Sequence, residues 1–126
     1  MSVEAVHPWK IPQRWPTIYQ MLKKAIDRGG EHTERSVLQA LVGGSMVLWD
    51  AGDAYIVTTW CDYPAGRIGF VLFAGGSGTD WLPELENELV RWAFDIGCKE
   101  IRFAGRLGWG RLVDGLEKDM MYTRKL

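Results

Sequence analysis

One passage of the sequence constrains the fold more than any other. A nearly continuous apolar run at 67–73 is followed by a glycine-rich break at 74–78 and then by a helical pattern that ends at Gly97. A strand that is apolar at almost every position is typical of a sheet covered on both faces. The apolar residues of the helical pattern form one stripe, which consists of Leu82, Leu85, Leu89, Trp92, Ala93 and Ile96. The passage predicts a strand, a tight connection and an amphipathic helix packed on a sheet. The connection offers Thr79 or Asp80 as the cap of that helix, and Pro83 fits its first turn.

Other periodicities predict elements on each side of this passage. Two helices come first, one from Thr17 to a stop at Gly29 and one from a Thr33 cap to Gly43. Strand patterns lie at 46–49, 54–61, 67–73, 99–104 and 120–124, and a short helical pattern lies at 109–117. The first three strands predict an antiparallel meander. The order α-α-β-β-β-α-β-α-β predicts an α+β layered fold whose mixed central sheet has helices on both faces.

The N-terminal residues 1–16 differ in composition from the rest of the chain. They contain Pro8, Pro12 and Pro16, three of the five prolines. Proline fixes φ and lacks a backbone donor. We therefore predict an extended arm at 1–16, rich in proline and tryptophan, in front of a single domain at 17–126. A chain of 126 residues is the size of one such domain.

Charge and cysteine content exclude several classes of function. Fifteen Lys and Arg face sixteen Asp and Glu, so the net charge of −1 gives no overall attraction to nucleic acid. No stretch approaches the roughly 20 apolar residues of a membrane span. Cys61 and Cys98 stand far apart without clustered histidines, which indicates neither a metal site nor a disulfide framework. We expect a cytoplasmic protein without a metal.

The element order resembles that of the GNAT superfamily of N-acetyltransferases, over residues 17–124. The resemblance is best at the strand 67–73, the glycine loop, the long helix and the passage Gly97-Cys98-Lys99-Glu100-Ile101. With 105–111, this passage is also similar to small GNAT-like proteins of tailed bacteriophages. The resemblance implies an N-acyltransferase that uses acetyl-CoA or another acyl-CoA, in the host cytoplasm or the virion if the gene belongs to a phage.

The same resemblance implies that the glycine loop binds the pyrophosphate of the cofactor. The residues in that position are Gly75, Gly76, Ser77, Gly78, Thr79 and Asp80. Glycines let backbone amides approach a phosphate, and a helix N-terminus adds partial positive charge. The loop departs from the family pattern because no basic residue stands at its head, and Asp80 brings a negative charge. The alternative is a tight strand-to-helix turn capped by Asp80.

Acyl transfer to an amine needs a group that removes a proton from the amine. The resemblance places Asp62 and Tyr63 near the point where the central strands separate, and we take both as catalytic candidates. Asp62 is equally typical of a turn. The family's acid tyrosine has no counterpart in the short helical pattern at 109–117.

Two arginines and a tryptophan in a glycine-rich segment form a second candidate site. Arg106, Trp109 and Arg111 could bind a phosphate, a carboxylate or a planar partner. Alternatively, Trp109 packs under the sheet and the arginines pair with nearby acids.

Two functions therefore remain open. The first is an N-acyltransferase that acts on a small-molecule or protein amine. The second is a catalytically inactive GNAT-like module, a phage accessory or virion-associated protein that binds a phage or host protein through Arg106, Trp109 and the aromatic arm. Nucleic-acid binding ranks last.

Overall fold

The computed structural model describes residues 2–103, 117–118 and 122–125. The elements in these ranges are β1 (Glu4–Val6), a 3₁₀ turn (Pro8–Lys10), α1 (Ile11–Gly29), α2 (Glu34–Gly43), β2 (Met46–Asp50), β3 (Ala54–Tyr63), β4 (Gly66–Gly76), α3 (Leu82–Asp95), β5 (Cys98–Phe103), β6 (Glu117–Lys118) and β7 (Tyr122–Lys125). The described strands form one sheet in the order β1-β2-β3-β4-β5-β7-β6. Neighbouring strands in it are antiparallel except β4 and β5, which run parallel and are joined through α3.

An apolar core lies on each face of the sheet. Alternate residues of a strand point to opposite faces. Ala54 and Ile56 of β3 belong to the core under α3, whereas Tyr55 and Val57 belong to the core under α1 and α2. Because both faces are covered, β3 is buried at each position from 54 to 58. We call these two clusters the α3 core and the α1–α2 core.

The predicted fold class is confirmed. The sheet is mixed, with α1 and α2 on one face and α3 on the other. The predicted stripe of α3 packs on the sheet through Leu82, Leu85, Leu89, Trp92, Ala93 and Ile96. The predicted meander is formed by β2, β3 and β4.

The N-terminal segment differs from the predicted extended arm. Residues 4–6 form β1, which pairs with β2, and α1 begins at Ile11 rather than at Thr17. Pro12 lies in the first turn, where the helix has no need of its N–H. Pro16 removes one helical hydrogen bond, but burial of Trp15 on the α1–α2 core compensates.

The connection between β4 and α3 also differs from the prediction. β4 continues to Gly76, so Gly75 and Gly76 lie in the strand rather than in a loop. The predicted side-chain cap by Thr79 or Asp80 is wrong. Trp81 occupies the N-cap position of α3, and no side chain caps the helix. The prediction of Pro83 in the first turn is confirmed.

The C-terminal predictions lie largely outside the described residues. This holds for Arg106, Trp109 and Arg111, and for the short helix predicted at 109–117 except its last residue. Glu117 begins β6 instead. The last strand spans Tyr122–Lys125. In the described part of the chain, every helix is too short or too polar to cross a membrane.

Candidate functional site

β4 carries one extra residue at Leu72. Its register with β3 shifts between Val57 and Thr58, which leaves Leu72 without an opposite partner. On the other edge of β4, the parallel pairing with β5 ends at Val71 and Phe103 within the described residues. The bulge therefore lies where β4 leaves the described part of β5. Bulges bend a strand, re-aim its backbone groups and often lie next to active sites.

The last residues of β4 have one open edge in the described part of the chain. Residues 73–76 pair with 54–57 of β3, and no described strand lies on their other side. Unpaired N–H and C=O groups along a strand edge can pair with an extended ligand.

Close packing explains why positions 75 and 76 are glycines. A Cβ on Gly75 would collide with the carbonyl group of Met21, so this glycine allows α1 to cross β4 closely. Gly76 has a φ of 133°, and a Cβ there would collide with the backbone of Asp53 and Ala54. Both glycines are therefore required by the fold, and their part in binding a cofactor stays a prediction.

Three successive backbone N–H groups lie between β4 and α3. The N–H of Ser77 donates to the Asp53 carbonyl, but those of Gly78, Thr79 and Asp80 meet no acceptor among the described residues. Gly78 has a φ of 76°, a left-handed conformation. Successive N–H groups in such a turn form a concave anion site, and the start of a helix adds partial positive charge. We call residues 77–80 the amide loop.

Trp81 anchors the amide loop to the protein. Its indole is 8% exposed and belongs to the α3 core. Its Nε1 donates to the carbonyl of Ser77 at 3.0 Å. The loop is therefore fixed at both ends, because Ser77 is also bonded to Asp53. A loop held in this way does not have to become ordered when it binds an anion.

The candidates Asp62 and Tyr63 lie at the opposite end of β4 from the amide loop. Gly76 lies nine positions along β4 from Arg67, the partner of Asp62, which corresponds to about 30 Å of strand. At Arg67, β4 is paired on both edges. The structure thus does not bring Asp62 and Tyr63 together with the amide loop, although the Tyr63 phenol lies close enough to Arg102 of β5 for the two groups to interact electrostatically.

Asp62 and Tyr63 point to different faces. Asp62 accepts from Arg67 at 2.6 Å, and this bond lowers the pKa of the carboxyl group, which makes it a weaker base. Arg67 also donates to the Ile96 carbonyl at the end of α3. Tyr63 alternates to the other face and is 44% exposed. The neighbouring Cys61 raises the pKa of its phenol, so Tyr63 keeps its proton at neutral pH.

We expect Asp62→Asn to affect the acid side of stability and to leave ligand binding unchanged. A lowered pKa in the folded protein stabilises it above the pKa of unfolded Asp, and this contribution disappears as the pH falls through the folded pKa. Urea unfolding should therefore show a small deficit of the variant at pH 7 that vanishes in acid. A deficit that grows in acid would contradict the ion pair.

Sequence reasoning missed the pair Glu100 and Arg102 on β5. Arg102 Nη2 donates to Glu100 Oε1 at 3.1 Å, and Glu100 is 6% exposed. Both side chains lie on the face opposite Ile101 and Phe103, which belong to the α3 core. Alternation of charged and apolar residues in 100–103 was a sequence signal for this pair. The sequence does not reveal that the charged face is buried at Glu100.

Comparisons with known proteins address the fold. A scan against protein-family models finds no match, and no curated protein matches the sequence. The structure is similar to the crystal structure of an acetyltransferase from Thermus thermophilus, with a TM-score of 0.60. The match covers 100% of this chain and 98% of that chain at 16% identity. This chain therefore shares the fold of that acetyltransferase. The coverage includes residues 1–16, so β1 and the start of α1 belong to the acetyltransferase fold.

Proposed function

We propose that the protein is an N-acyltransferase that uses an acyl-CoA. The observation that carries this proposal is the coincidence of two features along β4. The strand bulges at Leu72, and it runs into the amide loop. A bulged strand next to an anion site suits a ligand with an extended arm and a diphosphate.

The described residues fit such a cofactor through backbone groups. The N–H groups of Gly78, Thr79 and Asp80 would hold the diphosphate, and the backbone of β4 after the bulge would pair with the amide-containing arm. The cofactor, when bound, supplies an acyl group activated as a thioester. The loop residues 77–80 include no lysine or arginine, so backbone dipoles supply its attraction for the anion.

Thermal unfolding with acetyl-CoA tests the proposal. A ligand that binds only the native state stabilises it by about 2.7 kcal/mol at 100 times its Kd. We expect a clear rise in the melting temperature with acetyl-CoA and a smaller one with ATP. ATP carries adenine and phosphates but has no arm for the β4 edge. The absence of a rise, or an equal rise with ATP, would contradict the proposal.

Gly78→Asp should abolish the acetyl-CoA effect while the domain stays folded. The new carboxylate would lie among the N–H groups that hold the diphosphate. The matched control is Gly44→Asp at the C-terminus of α2. Gly44 also has a left-handed φ, 85°, and an added Cβ meets nothing within 4 Å. The two variants add the same charge and a similar strain of about 1–2 kcal/mol. Isothermal titration with acetyl-CoA should show binding by the control and none by Gly78→Asp. Equal affinities of the two variants would exclude the amide loop as the diphosphate site.

Asp80→Asn should strengthen acetyl-CoA binding. The Asp80 side chain is exposed and lies in the same loop as the proposed diphosphate site. The carboxylate of Asp80 repels the diphosphate through solvent that partly screens the two charges. Removing it should raise the affinity for acetyl-CoA about 2- to 5-fold, and this gain should shrink in high salt. Titration at low and high ionic strength measures this. A weaker affinity in the variant would show that the carboxylate does not face the anion.

A second candidate, protein binding without catalysis, is favoured by Trp9. Its side chain is 66% exposed, with His7 edge-on at 5.6 Å and the Lys10 ammonium 5.9 Å from the ring centre. Exposed tryptophan is enriched at binding surfaces. In this candidate the chain is an accessory or virion-associated protein of a tailed phage, as its second resemblance implies. Absence of acetyl-CoA binding, with partner capture lost in Trp9→Ala, would support it.

A further inference from the structure

Glu100 is the one charged side chain that is buried within residues 2–103. Burying a carboxylate is costly unless it is paired. Arg102 provides the pair at 3.1 Å, and its own side chain is 37% exposed. The guanidinium has five N–H donors. Only one of its hydrogen bonds ends on a described residue, and the phenol of Tyr63 is close enough to interact with its charge.

The pair lies next to the last described residues of the ladder between β4 and β5, just before the bulge of β4. Arg102 is opposite Phe70 in the parallel ladder, one residue before the last described pair, and Glu100 is opposite Ile68. Opposite residues share a face, so Phe70 lies next to Arg102 on the face away from α3. Phe70 and Arg102 are both partly exposed. A buried anion, a cation with spare donors and an aromatic ring therefore adjoin the proposed acyl site.

We infer that the acceptor is an α-amino acid with an apolar or aromatic side chain. This inference rests on the proposed acyltransferase function. The ammonium of such a molecule would face the carboxylate of Glu100, and its carboxylate would accept from the free donors of Arg102. The two charges of an amino acid are separated by one carbon, which matches two adjacent side chains of opposite sign. Phe70 would contact the apolar side chain.

The same arrangement assigns the proton transfers. The ammonium gives one proton to Glu100, and the freed amine attacks the thioester carbonyl carbon. The C–N bond forms as the C–S bond breaks, and the electron pair leaves with sulfur. The second proton of the amine passes to the thiolate, and Glu100 releases its proton to water. Glu100 is then the catalytic base, and Arg102 binds the acceptor and holds the base in place.

Two acceptors that differ in one group test the inference on the wild-type protein. L-Phenylalanine and 2-phenylethylamine share the ring and the amine, but only the first has a carboxylate. With acetyl-CoA and thiol release as readout, kcat/KM should be about 10-fold or more higher for phenylalanine, because it gains a charge-assisted bond. Equal values, or transfer to neither at saturating acetyl-CoA, would overturn the inference.

Variants assign the two roles. Arg102→Gln should remove the preference for phenylalanine chiefly through KM, whereas Glu100→Gln should lower kcat about 100-fold or more for both amines. Neither should change the affinity for acetyl-CoA. Full activity of Glu100→Gln would overturn the base. If a variant fails to fold, the melting temperature of the wild type is measured with each product instead. N-Acetylphenylalanine should raise it and N-acetylphenylethylamine should not, and equal rises would overturn the proposed acceptor site. Failure of acetyl-CoA itself to bind would refute the proposed function, and failure of acceptor discrimination alone would refute only this inference.

Discussion

Gly75→Ala should lower the free energy of unfolding by about 3 kcal/mol, because a single methyl group would have to enter the contact between α1 and β4. The added Cβ would collide with the carbonyl oxygen of Met21 and lie 2.7 Å from its carbon. A side chain can rotate away from such a clash, but a helix backbone cannot. Either α1 moves off the sheet or β4 bends, and both changes expose part of the α1–α2 core.

Urea unfolding measures this effect, with Gly43→Ala as the matched control. Gly43 is the last residue of α2, and a Cβ there meets nothing within 4 Å. Alanine at this helical position should leave stability unchanged or raise it by up to about 1 kcal/mol. A loss of less than about 1 kcal/mol for Gly75→Ala would contradict the close approach of α1 to β4.

Trp81→Ala should lower the free energy of unfolding by about 3 kcal/mol or more and also abolish acetyl-CoA binding. The indole fills part of the α3 core and bonds the carbonyl of Ser77, so its loss leaves a cavity and frees the amide loop. Without that anchor the three N–H groups no longer stay aimed at one point, and binding must supply the cost of ordering them.

Two further tryptophan variants separate the effect on stability from the effect on binding. Trp81→Phe keeps most of the apolar packing but lacks the N–H, so it should retain stability better than binding. Trp9→Ala is the surface control, since Trp9 is 66% exposed, and it should change stability by less than about 0.5 kcal/mol. Denaturation and calorimetric titration of the three variants give both quantities. Unchanged binding by Trp81→Ala would contradict a loop held by its indole.

The layered fold could be predicted because local patterns and burial agree in most of the chain. The apolar stripe of α3 and the turn at 50–53 between β2 and β3 are both encoded by residues close together in the sequence. The stripe packs in the α3 core, and the turn joins two strands that pair as predicted. Long apolar runs also indicated coverage of both faces, which the two cores show.

The N-terminal segment could not be predicted in the same way because its conformation depends on distant contacts. Proline chemistry favours an extended chain, but Trp15 packs on the α1–α2 core and its Nε1 donates to Glu34 at 3.0 Å. The apolar spacing of Ile11, Trp15 and Ile18 was present in the sequence. Whether burial of these side chains outweighs the helix-breaking effect of Pro16 depends on the surface that they contact, and the sequence does not show that surface.

The candidate site was predicted in part, and its details come from pairing rather than motif. The sequence indicated a connection rich in glycine before α3, but Gly75 and Gly76 lie in β4, where close packing requires them. The bulge at Leu72 arises from the register of two strands, and no residue type announces it. Glu100 lies in the passage 97–101 that resembles the family. Its burial depends on what covers the sheet, which the sequence does not show. Asp62 lies in β3 and accepts from Arg67, a partner that the sequence did not indicate, and its catalytic role stays a prediction.

Backbone amide NMR during titration with acetyl-CoA reports where on the chain the cofactor binds. We predict that the resonances of residues 72–80 shift in saturable fashion, with the largest changes at Gly78, Thr79 and Asp80. The turn at 63–66, at the far end of β4, should stay unchanged. Saturable shifts confined to other parts of the chain, or none at millimolar acetyl-CoA, would contradict this prediction.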